Sequence, residues 1–142
     1  MTPNPLTYTF PARVYYEDTD AAGVVYYANY FRFMERARTE WLTSIGIELV
    51  DLEKNDHIVF VVTRVEADYK NAARLGDRLI ITVEPVKYGS VYFTVRQRIW
   101  RCETLIIDGK ITVATLDPKR WRPTRIPDSL SKRLPPLSQA SE

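Results

Sequence analysis

Three carboxylates fall within four positions at the start of the stretch EDTDAAGVVYYANY, residues 17–30: Glu17, Asp18 and Asp20. Small residues and Gly23 follow, then Val25 and the tyrosines Tyr26, Tyr27 and Tyr30. Two kinds of chemistry suit such a cluster. One is ordinary: acids in a solvated loop, one of them capping the helix that follows. The other is catalytic. A helix N-terminus carries unpaired backbone N–H groups and a partial positive charge of roughly half a unit. A helix beginning near Val25–Tyr27 would point those groups at the loop that carries Asp20, and Gly23, lacking a side chain, would let a ligand approach the backbone. A carbonyl lodged there would be polarised by the amides while a carboxylate attacked it or activated water. That is an oxyanion hole beside a general base or nucleophile. Spacing alone leaves both readings open.

The elements that would hold this stretch are legible around it. Tyr30, Phe33, Met34, Ala37, Trp41 and Ile45 recur at steps of three and four, with Arg32, Glu35, Arg36, Arg38 and Glu40 between them. That pattern predicts an amphipathic helix over 28–45, about five turns long, with Gly46 as its C′ residue. Upstream, TYTFPARVYYE (7–17) reads as a strand in which Pro11 favours an edge or a bulge. Downstream, β-branched and alternating runs predict strands at 57–69, 78–88, 90–102 and 105–117, punctuated by RLGD (74–77), Gly89-Ser90 and Glu103-Thr104. Asp108-Gly109 inside the last run reads as a bulge rather than a hairpin turn. A strand, a long helix and four further strands describe an antiparallel α+β domain with the helix packed on one face of the sheet. After Asp117 proline becomes frequent, and six Lys or Arg in residues 119–133 face one Asp. This segment reads as a surface tail, giving a single domain over 1–130 and a flexible tail over 131–142. A smaller alternative is that some of its bases meet an anionic ligand or a neighbouring subunit.

Composition narrows the function. A chain of 142 residues, 45% hydrophobic, can bury its own core. A net charge of +2 is too small to argue for nucleic acid or an anionic membrane. MTPNPLTYTF has no basic stretch leading into an apolar one, so no signal peptide is expected, and no run is long enough to span a bilayer. One cysteine, Cys102, fits a reducing compartment and a cytoplasmic protein, and at the end of a strand it reads as an inert core or edge thiol. The single histidine, His57, excludes a multi-histidine metal site within one chain, and any Ser–His or Cys–His mechanism would have to use it. A carboxylate is therefore the leading candidate for proton transfer or attack.

The stretch YYEDTDAAGVVYYANYFRFMERARTEWL resembles the signature of hot-dog-fold acyl-CoA thioesterases of the 4-hydroxybenzoyl-CoA thioesterase type, among them the bacterial enzymes linked to the Tol–Pal system. Asp18, Asp20, Gly23, Val25, Tyr26 and Tyr30 carry the motif. ADYKNAARLGDRL and KRWRPTRIP resemble later family segments, so the likeness spans the chain to about residue 130. The resemblance implies a hot-dog fold, a five-stranded antiparallel sheet wrapped around one long helix. It implies hydrolysis of an acyl-CoA to a carboxylic acid and coenzyme A, with no cofactor, since coenzyme A is part of the substrate. Asp20 falls on the catalytic carboxylate, and the backbone amide of Tyr27, with Gly23 beside it, on the group that polarises the thioester carbonyl. Val25, Tyr26, Tyr30, Tyr69, Lys70 and Arg74 fall where substrate is approached. An acyl carrier protein is an alternative acyl donor, and a homodimer or homotetramer is implied. The Tol–Pal-associated branch usually carries histidine where this chain has Tyr27, which leans toward the aromatic-CoA branch. The rival from another class is a non-catalytic acyl-CoA or acyl carrier protein binding module on the same fold.

Overall fold

The computed structural model describes residues 7–137. A long helix, α1 (Tyr30–Ser44), lies against a curled antiparallel sheet. The sheet strands are β1 (Tyr8–Arg13), β2 (Val59–Tyr69), β3 (Arg78–Tyr88), β4 (Tyr92–Arg101) and β5 (Thr104–Asp117), and they run in the order β1-β3-β4-β5-β2. A two-residue strand, β6 (Arg122–Pro123), adds to β5. This is the hot-dog architecture expected above. Pro11 sits on the edge strand β1, where its missing N–H costs no internal ladder bond. Among the described residues no helix is long and apolar enough to cross a membrane.

The apolar stripe of α1 does what its period predicts: Tyr30, Phe33, Met34, Ala37 and Trp41 are all buried, joined by Leu42. The helix is shorter than expected. Its first anticipated turn is instead a 3-10 turn, Tyr27–Asn29, and the α-helical residues span 15 positions. It stops where the sequence says it should. Gly46 takes φ +90°, its N–H donates to the Thr43 carbonyl at 2.9 Å, and the Ile47 N–H donates to Leu42 at 2.8 Å. These bonds satisfy carbonyls that would otherwise be orphaned at the helix end.

Two residues set how closely the helix meets the sheet. Gln97 on β4 is fully buried, its Nε2 donating to the Met34 carbonyl at 3.0 Å while its Oε1 accepts from Arg38 Nη1 at 2.9 Å. Gly109 lies opposite it on β5, where an added Cβ would stand 3.3 Å from Met34 Cε and 3.2 Å from the Glu66 carbonyl oxygen. The expected bulge at Asp108-Gly109 is therefore absent. The register runs regularly through both residues, and the glycine answers to helix clearance. Bulges occur instead at Val62/Arg64, Pro85/Lys87 and Ile99/Trp100. Asp108 points to the outer face, 2.8 Å from Arg96 and 3.4 Å from Arg98. Burial pushes its carboxyl up, but the two guanidiniums outweigh burial and hold it below the usual carboxylate range.

One element was not anticipated and two further expectations are corrected. A second helix, α2 (Leu49–Asp56), had no sequence signal, because only Leu52 of its eight residues is buried and two turns are too few to show a period. Cys102 is not a core or edge thiol but an exposed turn residue with φ +53°, and the β4–β5 turn is Cys102-Glu103. The segment after Asp117 is no loose surface tail. Its short helix α3 (Asp128–Ser131) buries Leu130 completely, the Ile126 N–H donates to the Ser90 carbonyl at 2.9 Å, and the Tyr88 hydroxyl donates to the Pro135 carbonyl. Burial pushes the Tyr88 phenol up to about 12. The last residues of the expected tail, 138–142, lie outside the described residues.

Filling the clearance between helix and sheet tests this account. Gly109→Val should destabilise the fold by about 1–3 kcal/mol through overpacking, read as a lower urea midpoint with an unchanged slope.

Candidate active site

Two short segments meet at the N-terminal end of α1. The first is a tight loop closed by Asp20: its N–H donates to the Val24 carbonyl at 2.9 Å, and its own carbonyl accepts from the Gly23 N–H at 3.0 Å. The Asp20 Oδ1 accepts the Ala22 N–H at 2.8 Å, the familiar self-hydrogen-bonding of an Asp that opens a turn. Gly23 takes φ +82°, a left-handed conformation that any side chain would strain. Asp20 is exposed, and its Oδ2 takes no hydrogen bond among the described residues.

The second segment is the 3-10 turn Tyr27–Asn29. Its first internal bond is the Asn29 N–H to the Tyr26 carbonyl at 2.8 Å, so the amides of Tyr27 and Ala28 precede any partner within the turn. Helical backbone thus begins at Tyr27, as expected, but as a tighter turn preceding α1.

Asp18 joins the two segments. It is only 6% exposed, and each of its carboxylate oxygens accepts a hydrogen bond: Oδ1 from Asn29 Nδ2 at 2.7 Å, and Oδ2 from the Tyr15 N–H at 2.8 Å. Its backbone carbonyl also accepts the Tyr26 N–H at 3.1 Å. Glu17, in the 3-10 turn Tyr16–Asp18, stays exposed. Of the three clustered acids, one is structural and two face outward.

A third segment closes the site. The Val25 N–H donates to the Ala73 carbonyl at 2.9 Å, and Val24 bridges Arg74, which brings exposed Arg74 beside Gly23. The Tyr69 hydroxyl donates to the Tyr27 carbonyl at 3.3 Å, and the two rings stand edge-on at 6.3 Å. Burial, then the neighbouring tyrosines, raises the Tyr69 phenol, which keeps it a donor at neutral pH. Lys70 follows on an exposed position. The structure therefore gathers Asp20, Gly23, Tyr26, Tyr27, Tyr69 and Arg74 at one end of the helix. Two residues expected at the substrate are not on this surface: Val25 and Tyr30 are 4% and 3% exposed, and both belong to the core. Tyr30 works as scaffold, its hydroxyl accepting the buried Ala73 N–H at 3.0 Å. Asn29 was missed. A lone amide in an apolar, aromatic run was the available signal. His57 caps α2 with φ +58°, exposed and on none of these segments.

A sequence profile described as the thioesterase superfamily matches residues 22–106. The chain belongs to the thioesterase superfamily. Its similarity to other members runs over most of its length. It is 38% identical to the acyl-CoA thioesterase YbgC of Haemophilus influenzae, over 84% of this chain and 88% of that protein. It is also 27% identical to a 1,4-dihydroxy-2-naphthoyl-CoA hydrolase of Nostoc punctiforme, over 88% of this chain and 84% of that protein. The lean toward the aromatic branch taken from Tyr27 is thus not carried by overall similarity, which is higher to the YbgC thioesterases. Among solved structures, a probable thioesterase from Bartonella henselae superposes with a TM-score of 0.81 at 31% identity, covering 85% of this chain and 99% of that one. The 4-hydroxybenzoyl-CoA thioesterase of Pseudomonas sp. strain CBS-3 shares the fold, with a TM-score of 0.83 at 20% identity, over 90% of this chain and 99% of that one.

The scaffold role of Tyr30 is directly testable. Tyr30→Phe leaves the Ala73 amide buried without its acceptor and should cost about 1–3 kcal/mol, read by urea denaturation; an unchanged midpoint would contradict the assignment.

Proposed function

We propose that this chain is an acyl-CoA thioesterase in which the Asp20 carboxylate and the backbone amide of Tyr27 act on one thioester carbonyl. Sulfur lends that carbonyl little resonance, so a carboxylate suffices without a histidine relay. In the reaction, the carbonyl carbon gains an oxygen, either from water whose proton passes to Asp20 or from Asp20 itself with water following. The Tyr27 N–H holds the charge that develops on the carbonyl oxygen. The C–S bond then breaks, and the products are a carboxylic acid and coenzyme A carrying the proton on sulfur. The single observation that best supports this reading is the join between the two segments, the Tyr26 N–H on the Asp18 carbonyl at 3.1 Å. It supports the reading because it joins the loop that carries Asp20 to the turn whose Tyr27 and Ala28 amides have no partner among the described residues.

The remaining surface suits the rest of the substrate. Tyr26, Tyr27 and Tyr69 offer exposed rings beside the carbonyl site, and Lys70 and Arg74 offer cations to the phosphates of coenzyme A. Acyl carrier protein thioesters are the alternative donor. We also propose that the chain works as a homo-oligomer, dimer at least. Among the described residues β2 pairs only with β5, which leaves an 11-residue strand edge open there, with Val62 and Val65 more than two-fifths exposed beside it. Long open edges of this kind invite pairing. Sedimentation at one chain mass at every concentration would contradict the oligomer.

The test of the chemistry is thiol release from benzoyl-, 4-hydroxybenzoyl- and straight-chain acyl-CoAs by wild type and Asp20→Asn. The proposal expects hydrolysis that falls by about 10²-fold or more in the variant, with its circular dichroism unchanged. Ligand binding without turnover of any CoA or acyl carrier protein thioester would favour the non-catalytic binding module.

A further inference from the structure

We infer that Asp18 and Asn29 are a positioning pair for the hydrolysis, fixing how far the Asp20 carboxylate stands from the Tyr27 amide. The inference rests on the thioesterase reading above and assigns neither residue to the substrate. Catalysis of that kind needs two groups, on different segments, held to within a fraction of an ångström. Asp20 sits in the loop closed by Gly23, and the Tyr27 amide sits at the start of the 3-10 turn. Two contacts of Asp18 reach the turn, Asn29 Nδ2 on Oδ1 and the Tyr26 N–H on the carbonyl oxygen, while the Tyr15 N–H on Oδ2 fixes the carboxylate itself. The Tyr26 bond, with the Asp20 N–H on the Val24 carbonyl, makes up the bridge between Thr19 and Val25. Backbone pairing in the bridge fixes register up to Tyr26, and past it the Tyr69 hydroxyl reaches the Tyr27 carbonyl from a separate strand. The side-chain bond from Asn29 ties the turn to the Asp20 loop itself, because Asn29 lies inside the turn, two residues after Tyr27.

Burial explains why this pair rather than a solvated one. Asp18 is 6% and Asn29 8% exposed, so neither can exchange its partner for water without opening the site. Asn29 also stands where the aromatic stripe of α1 begins, next to fully packed Tyr30. A shift of the turn would therefore have to move the helix, and the helix is held by its contact with Gln97. The pair couples the loop to the packed start of α1. A misplacement of about 1 Å between reacting groups can cost on the order of 10²-fold in rate, so the pair's effect should appear in kcat rather than in substrate affinity.

An exchange of the two side chains separates positioning from mere stability. Asn29→Asp alone faces one carboxylate with another at 2.7 Å and breaks the pair by repulsion. In the double variant Asp18→Asn/Asn29→Asp, the amide at position 18 donates to the carboxylate at position 29, and its carbonyl oxygen still accepts the Tyr15 N–H. Steady-state kinetics on the best acyl-CoA, with melting curves in parallel, should show kcat down by roughly 30- to 100-fold in the single variant, KM within about threefold, and most of the lost kcat restored in the double. Full kcat in a folded Asn29→Asp protein would overturn the inference. So would a double variant whose melting temperature recovers while its kcat does not. If the single variant fails to fold, the double alone decides: it must fold and turn over near the wild-type rate, against the loss expected of Asp20→Asn. A wild type inactive on every thioester would instead refute the hydrolase reading, and the pair's catalytic role with it.

Discussion

The close seating of α1 on the sheet is the constraint on which everything else depends. Met34 lies directly over Gly109, and its carbonyl is tied to buried Gln97, so the helix can neither lift nor slide without emptying a packed core or exposing an amide. Gln97 is an unusual tenant for the inner face of a central strand. Its burial is tolerable because both ends of its amide are satisfied, one by the helix backbone and one by Arg38. Burial in turn lowers the Arg38 guanidinium from its ordinary value, though Glu35 works against that shift. A fixed helix fixes its own first turn, and the first turn is where the chemistry is proposed to happen.

From that anchor the site divides its labour among residues of one kind. Asp18, Asp20 and Glu17 are near neighbours in sequence, yet their environments differ completely. Asp18 is consumed by structure, both oxygens engaged, whereas Asp20 uses one oxygen to close its own turn and keeps the other clear of hydrogen bonds from the described residues. The same division holds for the tyrosines. Tyr30 is a core residue whose hydroxyl braces the 70–77 loop through Ala73, and Tyr26, Tyr27 and Tyr69 remain at the surface in a chain of ring contacts. The opening cluster of like charges is thus resolved by burying one member and exposing the rest.

Much of this was legible in the sequence, and the gaps have physical causes. The helix stripe, Gly46, the edge position of Pro11 and the strands β3 and β5 followed from period and punctuation, because those signals are local. The bulge expected at Asp108-Gly109 failed because the glycine serves a contact 75 residues away in sequence, with Met34, and no local rule encodes such a distance. The same holds for Leu130, whose burial depends on a chain that doubles back over the β3–β4 turn despite a composition typical of surface segments. Within the site, residue types pointed to Asp20 and Gly23, but burial decided which tyrosines and which valine could face a ligand. Asn29 showed only as a lone amide in an apolar, aromatic run, because its meaning lies in its partner, Asp18, eleven residues earlier.

The central claim is that one thioester carbonyl meets both the Asp20 carboxylate and the Tyr27 amide. The most direct measurement is the infrared stretch of a carbon-13-labelled thioester carbonyl bound to Asp20→Asn, a variant in which substrate should persist long enough to observe. The account predicts a carbonyl band shifted to lower frequency than in water, polarised by the backbone amide. A bound thioester whose carbonyl absorbs where it does in water, or higher, would contradict it.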